Sequence, residues 1–242
     1  MTTVLLARHG RTAANADGVL AGWTPGVALD ERGREQAEAL AARLAPLPLA
    51  AIVSSPLERC RQTARAIAAT RDGAEVQLDE RVGECRYGDW TGQTLKTLSK
   101  DPLWKIVQTH PAAATFPGAD GEPLRAMQAR AVEAVRDWNA IVGAEHGSDA
   151  VYLVCSHGDV IKAIVADALG LHLDLFQRIT VDPCSLTVIR YTELRPFVLR
   201  LNDTGGGVDG LKLPPARRRS RRRGPPSPPS GDAVVGGGAG AP

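Results

Sequence analysis

Several things are scarce in this chain. No stretch of about 18 apolar residues runs free of charge, so no membrane-spanning helix is expected. A secretory leader is not expected either: the apolar segment Met1–Ala7 meets Arg8 and His9 at once, whereas a leader needs a basic start, a longer apolar stretch and a small-residue cleavage site. Cysteine occurs only at 60, 85, 155 and 184, each alone, without C-x-x-C spacing or the density of a disulfide scaffold. Reduced thiols and a cytoplasmic location are the matching expectations. Aromatic residues are 4% of the total, and none stands among the arginines near the carboxyl terminus, which leaves no base-stacking platform there.

What is present suits one globular domain with an appendage: 242 residues, 43% hydrophobic and 23% charged. The net charge of +2 is unevenly spread. From Asp203 onward seven basic residues face three acidic ones, which leaves 22 basic against 24 acidic in residues 1–202. Basicity is thus a property of the tail, 203–242, which also holds ten of the 25 glycines and seven of the 17 prolines. A segment of that composition cannot bury enough apolar surface to offset the entropy of ordering, so it is expected to be disordered, beyond a domain spanning 1–202.

Within 1–202 the hydrophobic pattern alternates between two periods. Residues 4–8 read as a buried strand, and 30–44 as a helix capped by Asp30, with Ala37, Leu40, Ala41 and Leu44 on one face. Strands are expected near 51–54 and 76–78, with a helix opened by Pro56 between them. A helical stretch interrupted by Pro102 covers 94–110, a Pro- and Gly-rich loop 111–123, and a long helix about 124–145. The strand 151–155 leads into a helix through Leu169, and two β-rich stretches near 185–191 and 197–201 can pair as a hairpin. Alternating strands and helices predict an α/β fold, a three-layer sandwich with a mainly parallel central sheet flanked by helices.

Two tripeptides occupy equivalent places. Arg8-His9-Gly10 follows the first strand and Ser156-His157-Gly158 follows the strand at 151–155. Ligands of open α/β sheets bind outside the carboxyl ends of strands, so both histidines are expected in one crevice, with each glycine allowing a tight turn. Taken alone, either histidine would equally suit the end of a strand. Arg8 and Arg59 add planar forks of donors matched to phosphate oxygens. Two histidines and two arginines point to an anion site, specifically for a phosphoryl group. The same set argues against a catalytic metal, since cations beside the histidines disfavour one and no carboxylate lies close in sequence to ligate it. No cofactor is expected.

These residues resemble the histidine phosphatase superfamily, the phosphoglycerate-mutase-like proteins. The resemblance runs through Arg8-His9-Gly10-Arg11-Thr12 with Asn15, Gly22-Trp23-Thr24, Leu29 with Gly33, Gln36 and Ala37, and Ser54-Ser55-Pro56-Leu57 with Arg59, Cys60, Gln62, Thr63 and Ala64. It continues through Glu84, Tyr87, Gly88, Trp90 and Gly92 and ends at Ser156-His157-Gly158. More narrowly, Gly18–Gly26 and Pro102-Leu103-Trp104 look like an actinobacterial branch labelled phosphomutases. The resemblance implies that His9 is the nucleophile that takes the phosphoryl group, that Arg8, Arg59 and His157 embrace its oxygens, and that Glu84 is the proton donor. A neutral imidazole attacks and leaves readily, provided its other ring nitrogen donates to a fixed acceptor. Asn15 would add a neutral donor and Arg11 would stand at the rim, with Gly22, Arg86, Tyr87 and Gly158 completing the substrate-binding set.

The chain departs from the pattern twice. Relatives carry Gly-Gly-Glu-Ser after the variable loop, whereas this chain reads Pro117-Gly118-Ala119-Asp120-Gly121-Glu122-Pro123, so no role is carried over to Glu122. Mutases hold the substrate carboxylate with an extra basic cluster, but between Trp90 and Arg125 only Lys96, Lys100 and Lys105 are basic. Hydrolysis of a small phosphomonoester is therefore preferred, with a phosphoglycerate mutase-type activity as the alternative and polyanion binding by the arginine tail as a second. Specificity is assigned to the variable region 93–123. Neither a membrane nor a nucleic acid is an expected partner, and a homodimer is left open. Trp104, Met127 and Trp138 are read as packing residues, and Cys155 as an inert buried thiol.

Overall fold

The computed structural model describes residues 1–206 and 235–238. Six strands form one mixed sheet in the order β3-β2-β4-β1-β5-β6. The strands are β1 (Thr2–Arg8), β2 (Ile52–Ser54), β3 (Val76–Leu78), β4 (Ala150–Ser156), β5 (Leu186–Tyr191) and β6 (Pro196–Asp203). The first four run parallel, and β5 and β6 add an antiparallel hairpin beside β1. The helices are α1 (Ala13–Ala16), α2 (Glu31–Leu44), α3 (Glu58–Ala68), α4 (Leu95–Leu98), α5 (Pro102–Thr109), α6 (Leu124–His146) and α7 (Gly158–Ala168).

Strand β1 shows why the sheet needs cover on both sides. Its alternate side chains Val4 and Leu6 enter one apolar cluster, with Leu124, Met127 and Val135 of α6 and Ile161 and Ile164 of α7. Leu5 and Ala7 enter the other, with Ala37, Leu40, Ala41 and Leu44 of α2 and Ala64 and Ile67 of α3. The period of 2 along the strand and the helical stripes on either side thus give three layers. Each fully buried aliphatic side chain contributes about 1.5–3 kcal/mol, which makes the two clusters the main stabilising term. Met127 and Trp104 belong to the first cluster, and Trp138 packs against its edge while its indole N–H donates to Asp79.

Helix α2 starts where the sequence predicts, with the Asp30 carboxylate accepting from the Gly33 N–H at 2.7 Å. Helix α3 starts later than predicted, at Glu58 and not at Pro56. Ser55-Pro56-Leu57 is a turn in which Leu57 is extended and its N–H donates to the Ser55 hydroxyl. Pro102 divides 94–110 into two helices, and it opens the second under an Asp101 cap. Residues 111–123 form a loop with one short 3-10 turn, pinned to the body by buried Ala114 and Phe116. Of the tail expected to be disordered, 207–234 and 239–242 lie outside the described residues. Asp203 closes β6, and Val235–Gly238 packs against the body.

Candidate active site

Strand register brings the predicted residues together. Arg8, the last residue of β1, pairs with Ser156, the last of β4, so the residues that follow them, His9 and His157, emerge side by side. The His9 N–H donates to the Ser156 carbonyl at 3.0 Å, and the two imidazole centroids are 5.2 Å apart. Ser54, at the end of β2, pairs with Cys155, so α3 begins over the same edge and carries Arg59 between the histidines. Gly10 is needed for close approach, because a side chain there would collide with the Gly33 carbonyl of α2.

All five residues predicted to carry the chemistry are buried: Arg8, His9, Arg59, Glu84 and His157. Arg59 is the hub. Its Nε donates to His9 Nε2 at 3.3 Å, and its Nη2 donates to the Gly22 carbonyl at 2.9 Å and to His157 Nδ1 at 3.2 Å. His9 Nδ1 lies 2.8 Å from the Gly10 carbonyl. A guanidinium only donates and a carbonyl only accepts, so the partners assign the proton of His9 to Nδ1 and leave the lone pair on Nε2, where it accepts from Arg59. By the same logic His157 Nδ1 accepts, and its Nε2–H donates to the Ser55 hydroxyl at 2.8 Å. Burial, reinforced by the charges of Arg59 and Arg8, holds the His9 imidazole well below its ordinary pKa. His157 is lowered for the same reason, burial first and then Arg59 and His9.

Glu84 behaves in the opposite sense. Burial pushes its carboxyl up to about 7, against the opposing attraction of Arg59. Its Oε2 is 3.6 Å from His157 Nδ1 and 4.0 Å from Arg59 Nη2, and its Oε1 accepts from the Cys85 N–H. A neutral imidazole and a carboxyl pushed up to about 7 stand in one cavity, an arrangement that can supply a nucleophile and an acid for group transfer to nitrogen. Two buried guanidinium nitrogens, Arg8 Nε and Arg59 Nη1, have no hydrogen-bond partner. Unpaired buried donors are costly, and an anion with several oxygens would satisfy both.

The remaining predicted residues divide. Gly22 supplies a carbonyl to Arg59 and lines the cavity with Asn15, whose Oδ1 is occupied in a capping box with Thr12. Arg11 is turned to Asp30 in a 2.8 Å ion pair. Arg86 lies 4.1 Å over the Trp23 ring. Tyr87 is buried and donates to Asp159 at 3.1 Å, and Gly158 begins α7 directly after His157. Cys155 is fully buried and its thiol is pushed well above its ordinary value by burial. Among the described residues no group of three or more His, Cys, Asp or Glu is placed to hold a metal ion.

Three contributors escaped the sequence reading. Ser55 fixes the His157 tautomer, and Asp159 lies 1% exposed behind Tyr87. Arg130 of α6 donates to the carbonyls of Arg81, Gly83 and Glu84 while pairing with Glu122 at 2.6 Å, and the Trp23 indole N–H also donates to the Glu84 carbonyl. Arg130 and Trp23 thus clamp the backbone that presents Glu84. Asp159 had a signal in the tripeptide His157-Gly158-Asp159; Arg130 had none, because nothing in its local sequence distinguishes it from the exposed Arg125 and Arg136 of the same helix.

Comparison with known proteins agrees with this geometry. The Histidine phosphatase superfamily (branch 1) pattern matches residues 4–204. Phosphoserine phosphatase 1 of Hydrogenobacter thermophilus is 32% identical over 206 residues, covering 84% of this chain and 93% of that protein. Glucosyl-3-phosphoglycerate phosphatase of Mycolicibacterium vanbaalenii is 34% identical over 179 residues, covering 71% and 76%. Among solved structures, YhfR of Bacillus stearothermophilus superposes with a TM-score of 0.74 at 30% identity over 84% of this chain and 98% of that one. A double-histidine crevice at matched strand ends, together with a family pattern spanning nearly all of the sheet and its helices, makes this chain a member of the histidine phosphatase superfamily, branch 1.

Proposed function

We propose that the chain hydrolyses a small phosphomonoester through a phosphohistidine at His9. The observation that carries this reading is the pair of unpartnered, buried guanidinium nitrogens of Arg8 and Arg59 beside a neutral His9. In the first step His9 Nε2 bonds to phosphorus and the ester P–O bond breaks, while the Glu84 carboxyl gives its proton to the departing oxygen. Arg8 and Arg59 stabilise the charge on the equatorial oxygens, and His157 joins them when its Nε2–H turns from the Ser55 hydroxyl to a phosphoryl oxygen. In the second step the Glu84 carboxylate takes a proton from water, the water oxygen bonds to phosphorus, and the N–P bond breaks. Fixed guanidinium charge does here what a metal does elsewhere, and no step requires a cofactor.

Hydrolysis is supported over the mutase alternative by the loop region. Lys96, Lys100 and Lys105 are all exposed, and none lines the cavity that holds His9 and Glu84. Phosphoserine and glucosyl-3-phosphoglycerate, the substrates in the names of the relatives, are the first compounds to assay. Phosphate release from these, from 3-phosphoglycerate and from an aryl phosphate is the expected result, with His9→Ala inactive on all. Interconversion of 2- and 3-phosphoglycerate without net phosphate release would establish the mutase instead. Buried, unpaired Cys60, Cys85, Cys155 and Cys184 suit a reducing compartment such as the cytoplasm. The edge strand β6, with Phe197, Leu199 and Leu201 exposed, supports a homodimer, for which light scattering should give twice the 25.6 kDa chain mass.

A further inference from the structure

The cavity that holds His9, Arg59 and Glu84 is also lined by Val235, Gly236, Gly237 and Gly238. This segment comes from a part of the chain nearly thirty residues beyond the last described residue of the body, Gly206. Three contacts of different kinds hold it. The Val235 side chain is 2% exposed and belongs to the same apolar cluster as Leu20 and Tyr87. The Gly236 N–H donates to Asp159 Oδ2 at 2.9 Å. The Gly237 carbonyl accepts from Arg8 Nη2 at 2.9 Å, while Arg8 Nη1 is committed to the Val181 carbonyl.

Glycine is required at both central positions. Gly236 and Gly237 have φ of +76° and +71°, and side chains there would stand 2.9 Å from Leu20 Cδ1 and 2.9 Å from Arg8 Nη1. Only a bare backbone can lie this close to the guanidinium. With the segment seated, the free volume left in the cavity is about 30 Å³. That accommodates about one or two waters.

We propose that Val235–Gly238 is an intramolecular inhibitor: the Gly237 carbonyl occupies the Arg8 donor that a phosphate oxygen needs, so the segment must leave before substrate binds. The proposal rests on the reading of Arg8 as a phosphate-binding residue. Asp159 is the partner that makes the plug specific, because it accepts the Gly236 N–H that the segment turns inward. Val235 is the anchor, and the two glycines are the part that reaches the site. Substrate and segment are then mutually exclusive ligands of one conformational equilibrium, and apparent substrate affinity falls by the fraction of molecules that are open.

Two full-length variants attack the plug from different sides. Val235→Asp places a charge in an apolar pocket, and Gly237→Val makes the seated backbone conformation unattainable. Both should bind inorganic phosphate more tightly than the unaltered protein by calorimetric titration, on the order of tenfold if the open form is populated about one time in ten. Both should lower KM for an aryl phosphate with kcat little changed. Amide hydrogen exchange of the unaltered chain adds a test free of mutation: saturating phosphate should speed exchange at Gly236 by freeing its N–H from Asp159. Slower exchange with phosphate, or weaker phosphate binding by both variants, would mean that the segment closes over the ligand, and would overturn the proposal. Unchanged phosphate affinity in both variants would also overturn it while leaving the phosphatase reading intact. Absence of phosphate binding in every form would remove both.

Discussion

On the strand-end side of the crevice Arg8 and Arg59 are 0% and 2% exposed, and each keeps a guanidinium nitrogen without a partner. Across the crevice, Arg130 meets a carboxylate and three backbone carbonyls, and Arg81 pairs with Asp79 and Asp137. Both regions hold arginines tied to the sheet and its covering helices, yet one leaves its cations short of acceptors and the other satisfies them. Buried polar groups left unpaired reduce stability, so the first side bears a cost that only a ligand can recover. The second side supports structure, and holds the Glu84 backbone in place while doing so.

Four variants would sharpen or break that contrast. Glu84→Gln should lower kcat by about 10²–10⁴-fold below pH 7, the usual contribution of a positioned acid. It should also abolish the fall in kcat/KM that the unaltered protein shows as pH rises through about 7, where the Glu84 carboxyl loses its proton. A retained alkaline limb would assign that limb to another group. Arg59→Met should lower kcat by about 10²–10³-fold. Its melting temperature should fall less than that of Arg130→Met, since removing an incompletely paired buried charge offsets part of the cost of stranding the Gly22 carbonyl and the two imidazole nitrogens; an equal or larger fall would place Arg59 with the structural arginines.

The same carboxyl has a stability signature. Its folded pKa of about 7 lies above the ordinary 4.5, so the folded state holds the extra proton between these values. The stabilisation it gives is complete below about 4.5 and is lost as pH rises through 7. Glu84→Gln should therefore gain stability relative to the unaltered protein between pH 4.5 and 8, by up to about 3 kcal/mol in denaturant melts. Arg130→Met should weigh the two effects the other way: a larger loss of stability, about 1–3 kcal/mol from its stranded acceptors, with activity reduced less than for Arg59→Met. Smallest of all, Arg11→Gln should change turnover less than about twofold, because Arg11 is engaged with Asp30 away from the cavity.

The sequence was most informative where a single period governed the chain. Val4 to Ala7, alternating between two apolar clusters, and the stripe Ala37, Leu40, Ala41 and Leu44 could be read directly, because strand and helix periods leave little freedom about what faces inward. The convergence of His9 and His157 was legible from their equivalent positions after two strands, and the parallel register Arg8 to Ser156 is what realises it. Arg130 and Ser55 were not legible. Their roles depend on carbonyl and imidazole partners 46 and more positions away, and no local pattern encodes such pairings. The start of α3 was misplaced because Pro56 suits a first helical turn, whereas the Ser55 hydroxyl captures the Leu57 N–H and holds that residue extended.

The central claim is that phosphoryl transfer passes through His9 Nε2. Rapid mixing with a radiolabelled phosphomonoester, an alkaline quench that preserves phosphohistidine, and peptide mapping test it directly. The label is predicted on His9 and nowhere else, absent from His9→Ala and accumulating in Glu84→Gln if the second step is the more impaired. Label on another residue, or full turnover by His9→Ala, would contradict it.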